Sequence, residues 1–420
     1  MIRIRYYGWP LVGVGFLFYG LGIAPAYYSW GFFAPEIIEE LGISRQQVGE
    51  IFGTFALVLS LTSMVSAAAI NRFGLRITVT VGAVIASVGW YAVGKAESLL
   101  HLYISYALIG GFGLGLSTLM PAQTLPVFWF RRYRARATAI IFFGAAVFGA
   151  IVIPLDSYIL EDSGWRAAWV YISIVSFSVA IISALLLRNR PEDIGQYCDG
   201  DPSWRESHFL KCSDVNREEK MFSLKQAIMT PQFAIATLAD IANAVPWRII
   251  TVHGRLHMEN LGFAPALAAA ILGVRVGMSG LGRLSGSLSD FTRPGFVMAL
   301  ALMFTAFGVG GLWCFKTSGA AYFCVVLMGI GYGAAFTTIP VIFGNFFGRR
   351  AFVGTAGLRV AITGVVGFFG VSWAGAVADK YGTYNPVLIA LAALCAGAAV
   401  LIFLCKAPVV ENKLHANKHV

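Results

Sequence analysis

Apolar runs of about 20 residues recur twelve times along this chain, and that feature leaves few folds open. They fall roughly at 9–32, 48–69, 77–95, 101–125, 137–159, 167–187, 231–256, 264–289, 294–315, 320–343, 354–378 and 385–405. A helix rising about 1.5 Å per residue needs a run of that length to cross a hydrocarbon core of about 30 Å. Lipid offers no water to satisfy backbone N–H and C=O groups, so each run must bond internally as a helix. The alternation of barrel strands is absent. The expectation is therefore an all-α membrane protein with twelve transmembrane helices. Composition agrees: 12% of residues are charged, where a soluble chain carries about 25%. The first run is too long for a signal-peptide core and lacks a small-residue cleavage site, so it reads as a retained span. The six cysteines, at 198, 212, 314, 324, 395 and 405, show no C-x-x-C spacing. They suggest neither a disulfide framework nor a metal site, and no metal is expected.

The formal net charge of +10 could point to nucleic acid, but its distribution argues otherwise. With a cytoplasmic N-terminus, the inside segments hold 21 Lys and Arg, and the outside segments hold 6. Four more lie within spans: Arg248, Arg275, Arg283 and Arg359. That bias is the positive-inside rule and sets both termini in the cytoplasm. The charge is an orientation signal. The expected partner is a lipid bilayer, with no nucleic acid, and the expected location is the plasma membrane, a bacterial inner membrane in particular.

One polar, mixed-charge segment breaks the apolar rhythm. It divides the chain into a six-helix bundle (1–187), a cytoplasmic central loop (188–230), a second six-helix bundle (231–405) and a cytoplasmic tail (406–420). The loop ends in "FSLKQAIM", weakly amphipathic and suited to a short helix on the membrane surface. The halves echo each other at about 220 residues. "GFGLGLSTLMPAQTLPVFWFRRYRARATAIIFFGAAVFG" in the first answers "GIGYGAAFTTIPVIFGNFFGRRAFVGTAGLRVAITGVVGFFG" in the second, and both pass through a proline, Pro121 and Pro340. Such pseudo-symmetric halves, related by an axis along the membrane normal, mark transporters whose site lies near mid-membrane between them.

At these residues the chain resembles the major facilitator superfamily over essentially its full length. "AAAINRFGLR" is similar to that family's G-x-x-x-D-R-x-G-R-R signature: Arg72, Gly74 and Arg76 fit, with Asn71 at the aspartate position and Ala67 at the first glycine. The second copy keeps Gly286, Leu288 and Asp290, with Phe291 in place of arginine. Within the superfamily the chain looks most like the monocarboxylate-transporter and oxalate:formate-antiporter branch. The stretches that carry this are "WFRRYRARATAIIFFGAAVFG", "GWRAAW", "RNRPEDIGQYCDGD" and "GNFFGRRAFVGTAGL". The resemblance implies a monomeric secondary active transporter working by alternating access. It implies a small carboxylate substrate, no cofactor, and a proton as coupling ion. The signature loops would then act as gates on the inner face, the one around Asp290 more strongly because Asn71 cannot supply a full charge pair.

The intramembrane charges are the candidate site. A charge at a span centre costs about 2.5–3.5 kcal/mol on insertion scales, so each should face a cavity or a partner. Arg283 lies seven residues before Asp290, roughly 10 Å into its helix. A guanidinium fork matches a carboxylate. In the resembled branch an arginine of the eighth span holds the substrate carboxylate, and "GR" before "G-x-L-x-D" is the matching context, offset by one residue. The competing reading is a structural ion pair. Arg275, two turns outward, is either a second cavity charge or a snorkelling side chain. His253 matches a histidine of bacterial branch members. An unperturbed histidine, with a pKa of about 6.5, can gain and lose a proton as proton coupling requires; the competing reading is an interfacial hydrogen-bonding group. Asp240 is a candidate proton carrier or an ion-pair partner from another helix. Arg359 either adds a second cavity cation, as in dicarboxylate carriers of the branch, or faces lipid headgroups at the cytoplasmic gate. Tyr332 and Phe336, one turn apart, would line the pocket with Tyr28, Thr118 and Met120. Core packing is the alternative for each.

No P-loop pattern occurs, so ATP hydrolysis is not expected. "GFGLGLS" lies inside a span without strand–helix context, so it is no dinucleotide site. Three functions remain: proton-coupled monocarboxylate symport, anion exchange of the oxalate/formate type, and a non-transporting membrane sensor on the same scaffold. None is an enzyme.

Overall fold

The computed structural model describes residues 6–130, 133–200, 222–285, 292–314 and 317–408. Ten of its helices are long and apolar enough to cross a membrane, and two of these are double. Arg45–Val93 turns back on itself at Gly74 (φ 83°) and Arg134–Leu186 at Gly164 (φ 77°), left-handed conformations that cost glycine little. Twelve crossings result. The first span is Gly8–Phe32, and the second and third are the arms of Arg45–Val93. The fourth is Leu99–Trp129, and the fifth and sixth are the arms of Arg134–Leu186. The seventh to ninth are Pro231–Asn260, Pro265–Ser285 and Pro294–Cys314. Ser318–Phe347 and Gly354–Tyr381 are the tenth and eleventh, and Asn385–Leu404 is the twelfth. The rim is an apolar belt: Phe307, Phe323 and Phe369 are each more than 60% exposed, as lipid-facing side chains should be. The stretch "FSLKQAIM" forms a short helix, Leu224–Ile228, started by a Ser223–Gln226 capping box. Leu224 packs on Gly354 and Phe222 against Phe347, so this helix docks on the second bundle.

The two six-helix bundles meet differently at the two ends of the molecule. The end carrying Glu36 and Arg255 is here the upper end, and that carrying Arg72 and Arg76 the lower. Above, one hydrophobic core draws on both bundles, with Trp30, Phe52, Trp90 and Trp169 from the first and Ile249, Val252, Val371 and Tyr384 from the second. Below, each bundle keeps its own: Leu11, Leu75, Leu125 and Trp129 in one, Phe233, Ile339, Phe343 and Phe347 in the other.

Polar contacts reinforce the upper seal. Arg255 donates to both carboxylate oxygens of Glu36 at 2.6 and 2.9 Å, to Glu259 at 2.7 Å, and to the carbonyl of Phe32. Asp379, ending the eleventh span, accepts from the backbone N–H of Arg45 at 3.3 Å and of Gln46 at 3.0 Å. A carboxylate there caps the second span and meets the positive end of its dipole. Two glycines permit the approach. A Cβ on Gly31 would fall 1.9 Å from the carbonyl oxygen of Thr251, and one on Gly375 2.5 Å from that of Arg45. Within the first bundle the Trp165 indole, at 2.6 Å, and Arg166 hold the Glu40 carboxyl below its usual range.

The first signature loop is tied inside its own bundle. Arg76 donates from its backbone to Asn189 at 2.9 Å and from Nε to the carbonyl of Ala184 at 2.6 Å. Gly74 makes room for Asn189, while Asn71 and Arg72 are exposed, Arg72 lying over Phe73. The second-copy residues Gly286 and Asp290 lie outside the described residues.

Gly375→Val should keep the second and eleventh spans from closing. In a background lacking the native cysteines, Ser372→Cys should then label faster with a membrane-impermeant maleimide. Unchanged labelling would show that the close approach of Gly375 does not hold the upper end shut.

Candidate functional site

The site is built where the seventh, eighth and tenth spans face the first. The eighth and tenth spans touch backbone to backbone: a Cβ on Gly329 would fall 2.3 Å from the Arg275 carbonyl oxygen, and one on Gly333 2.0 Å from that of Ser279. This contact leaves no room for rotation of the eighth span and so fixes the direction of its arginines. Arg275 is turned inward, 1% exposed. Its guanidinium lies 4.1 Å from the Trp247 ring centroid and donates to the Trp247 carbonyl at 3.2 Å and the Thr251 hydroxyl at 2.9 Å. Trp247 stacks on Tyr332 at 3.8 Å with planes 11° apart. Of the two positions open to Arg275, snorkelling is thus not the one it takes.

Arg283 reaches the same place from two turns below. It donates to the Phe142 carbonyl of the fifth span and lies 5.2 Å from the Phe336 ring centroid, so it touches both bundles. Arg248 donates to the carbonyl of Thr363 at 2.9 Å. The tyrosines join the three cations: Tyr28 and Tyr332 sit in the field of Arg283, and Tyr27 and Tyr28 in that of Arg275. Tyr28 meets Trp247 edge-on at 6.3 Å. No described carboxylate pairs with Arg248, Arg275 or Arg283, and the buried Nε of Arg275 and of Arg283 has no protein partner. The result is a cluster of cations set among aromatic faces. Cation–π contacts hold the guanidinium planes without neutralising them.

Other sequence candidates take different places. Arg359 is neither free in the pocket nor set toward headgroups: it donates to Asp240 at 2.6 Å, both side chains being largely buried. Thr363 donates to the same carboxylate oxygen at 3.0 Å. This pair belongs to the lower half of the second bundle. His253 is buried in the upper seal, with Nε2 3.1 Å from the Val371 carbonyl and Nδ1 3.3 Å from the Tyr384 hydroxyl. That arrangement suits a neutral ring donating from Nε2, and no described bond links it to the arginines. Thr118 is fully buried against Gly22 at a break in the fourth span, its hydroxyl donating to Leu114 at 2.6 Å. Met120 packs on the lower core of the first bundle, which Phe336 also touches. Trp247 is the residue that sequence reasoning missed. Its signal was faint: a tryptophan beside a buried arginine, just after Pro246 inside a span.

The sequence matches the family profile described as Major Facilitator Superfamily over residues 11–356. The chain belongs to that superfamily. It is similar to monocarboxylate transporter 13 of Rattus norvegicus, 28% identical over 408 residues, covering 95% of this chain and 89% of the relative. Monocarboxylate transporter 4 of Mus musculus is 22% identical over 399 residues (94% and 81%), and the oxalate:formate antiporter of Oxalobacter formigenes 22% over 384 residues (87% and 84%). Among solved structures, a bacterial homologue of the human lysosomal transporter Spinster superposes with TM-score 0.73 at 16% identity, over 95% of this chain and 97% of that one. The fold is thus that of the superfamily, and these relatives fall in the branch the sequence resembles. The chain is a multi-pass membrane transporter of this superfamily, and not an enzyme.

Asp240→Asn should destabilise the purified protein by about 3 kcal/mol, because it strands the Arg359 charge. The double variant Asp240→Asn with Arg359→Gln should recover most of that in thermal unfolding. Equal losses in both would mean that the ion pair is not the source of the effect.

Proposed function

We propose that this transporter carries a small monocarboxylate together with a proton, by alternating access, with Arg283 as the carboxylate anchor. The observation that supports this most is the cluster of three arginines without a described carboxylate, set among Tyr28, Trp247, Tyr332 and Phe336. Anionic substrate supplies the missing charge, and an apolar body fits the aromatic faces. Arg283 is the best placed of the three, because it bonds the fifth span from the eighth and so feels both bundles. The names of the monocarboxylate relatives point the same way. In this reading the upper end faces outward and both termini face the cytoplasm, following the Lys and Arg bias. The shared upper core is then the closed outer gate, and substrate exchanges below. His253 is the pH-responsive group of that gate: a second proton on its ring removes the acceptor that Tyr384 uses.

Anion exchange is the second reading, favoured by one observation: Arg275 and Arg283, two turns apart on the eighth span, have no described carboxylate and would offer two charges to a dianion. A requirement for counter-substrate, with no response to a pH gradient, would select it.

In proteoliposomes Arg283→Ala should reduce acid-gradient-driven carboxylate uptake to the level of empty vesicles. Arg283→Lys should restore only a fraction, since a point charge lacks the guanidinium fork. Wild-type uptake by the alanine variant would remove Arg283 from the anchor role.

A further inference from the structure

Asp156, on the fifth span, is a buried acid with no part in the pocket. It is 3% exposed and accepts one hydrogen bond, from the Ser29 hydroxyl at 2.6 Å. The elements packed on it bring no cation to it. The first span, Gly8–Phe32, carries no charged side chain and offers only tyrosines 19, 27 and 28. The eighth span brings Arg275 and Arg283, held by Trp247 and Thr251 and by Phe142. Arg255 of the seventh span is committed to Glu36 and Glu259. On its own helix Glu161 and Asp162 lie more than a turn above, and no described salt bridge includes Asp156. A carboxylate in such a place costs several kcal/mol, whereas the neutral acid costs little.

Its position gives that choice a consequence. Directly above is a cavity of about 580 Å³ at the upper end, lined by Glu36, Glu39, Glu40, Glu161, Arg255 and Ser157, the residue next to Asp156. On the other side Ser29 follows Tyr28, which lines the arginine pocket. The acid is thus one residue from the lining of an acidic vestibule and is bonded to the first span beside Tyr28, which faces the arginine cluster.

We propose that Asp156 is the proton-carrying carboxyl of the transport cycle, filled from the upper vestibule and linked to the pocket through Ser29 and the first span. This rests on the symport reading above. The step is a proton transfer alone: a carboxylate oxygen gains a proton from vestibule water, and the same O–H bond breaks when the proton leaves to the other side. The neutral acid is the form that lets the upper end close over it. Glu36 and Arg255, at the vestibule, hold that end shut, so protonation and closure share one location.

The test is uptake of a radiolabelled small monocarboxylate into proteoliposomes, driven either by an acid-outside gradient or by counterflow. Asp156→Asn should lower the ratio of gradient-driven uptake to counterflow at least tenfold. A ratio equal to the wild type's would overturn the assignment while leaving symport intact. A wild-type protein blind to the gradient would overturn the symport reading itself, and the proton role with it. Ser29→Ala keeps the acid and removes the hydroxyl that favours its anion. It should move the pH midpoint of driven uptake about one unit alkaline. An unmoved midpoint would contradict the proposal even if the asparagine variant fails to fold.

Discussion

Three guanidinium groups inside the membrane-spanning region, with no described carboxylate to answer them, are the constraint on which the rest of this structure turns. Hydrocarbon tolerates such charges only where protein surrounds them, and here the surrounding groups are aromatic faces and backbone carbonyls. Carbonyls and ring faces orient a cation yet leave its charge in place. The contrast with Arg359 is instructive, because there Asp240 and Thr363 neutralise and fix the group. One arginine is thus structural, while three have no described carboxylate partner, and the proposed anionic substrate would balance them.

The scaffold delivers those charges through close backbone approach. Gly329 and Gly333 seat the tenth span against the eighth, which fixes the rotation of Arg275 and Arg283. Gly31 and Gly375 let the bundles touch at the upper end, where Arg255, Asp379 and a shared apolar core complete the seal. Below, the cores separate. The molecule is thus joined at one end and divided at the other, with the arginine cluster between, an arrangement that suits the proposed alternating access. The upper contacts are a buried ion-pair cluster around Arg255 and helix caps at the ends of spans.

Much of the fold was legible because lipid permits so few solutions. Each apolar run became a helix, and the turns at Gly74 and Gly164 fall in polar stretches between runs. The signs of function were legible as charges in the wrong solvent, Arg283 first among them. What the sequence did not carry was rotation. A helix of known register still has to choose which face looks inward, and for Arg275 that choice is made by Gly329 pressing on its carbonyl from another span. The partnership of Asp240 with Arg359 likewise depends on two spans 119 residues apart meeting at the right level. His253 shows the same limit: its ring lies in the upper seal against Val371 and Tyr384, a neighbourhood that composition alone does not reveal. Asp156, a lone acid in "GAIVIPLDSYIL", was passed over in the sequence, and its meaning came from Ser29 and the nearby cavity.

The central claim is that the pocket binds a negative charge, and ligand-induced stabilisation of the purified protein tests it most directly. Small carboxylates and their neutral amides, matched in shape, differ mainly in the group that the arginines would hold. A ligand that binds only the folded state stabilises by about 2.7 kcal/mol at a hundredfold excess over its dissociation constant. The account predicts a concentration-dependent rise in melting temperature with the acids and none with the amides. Equal stabilisation by amides, or none by any carboxylate, would contradict it.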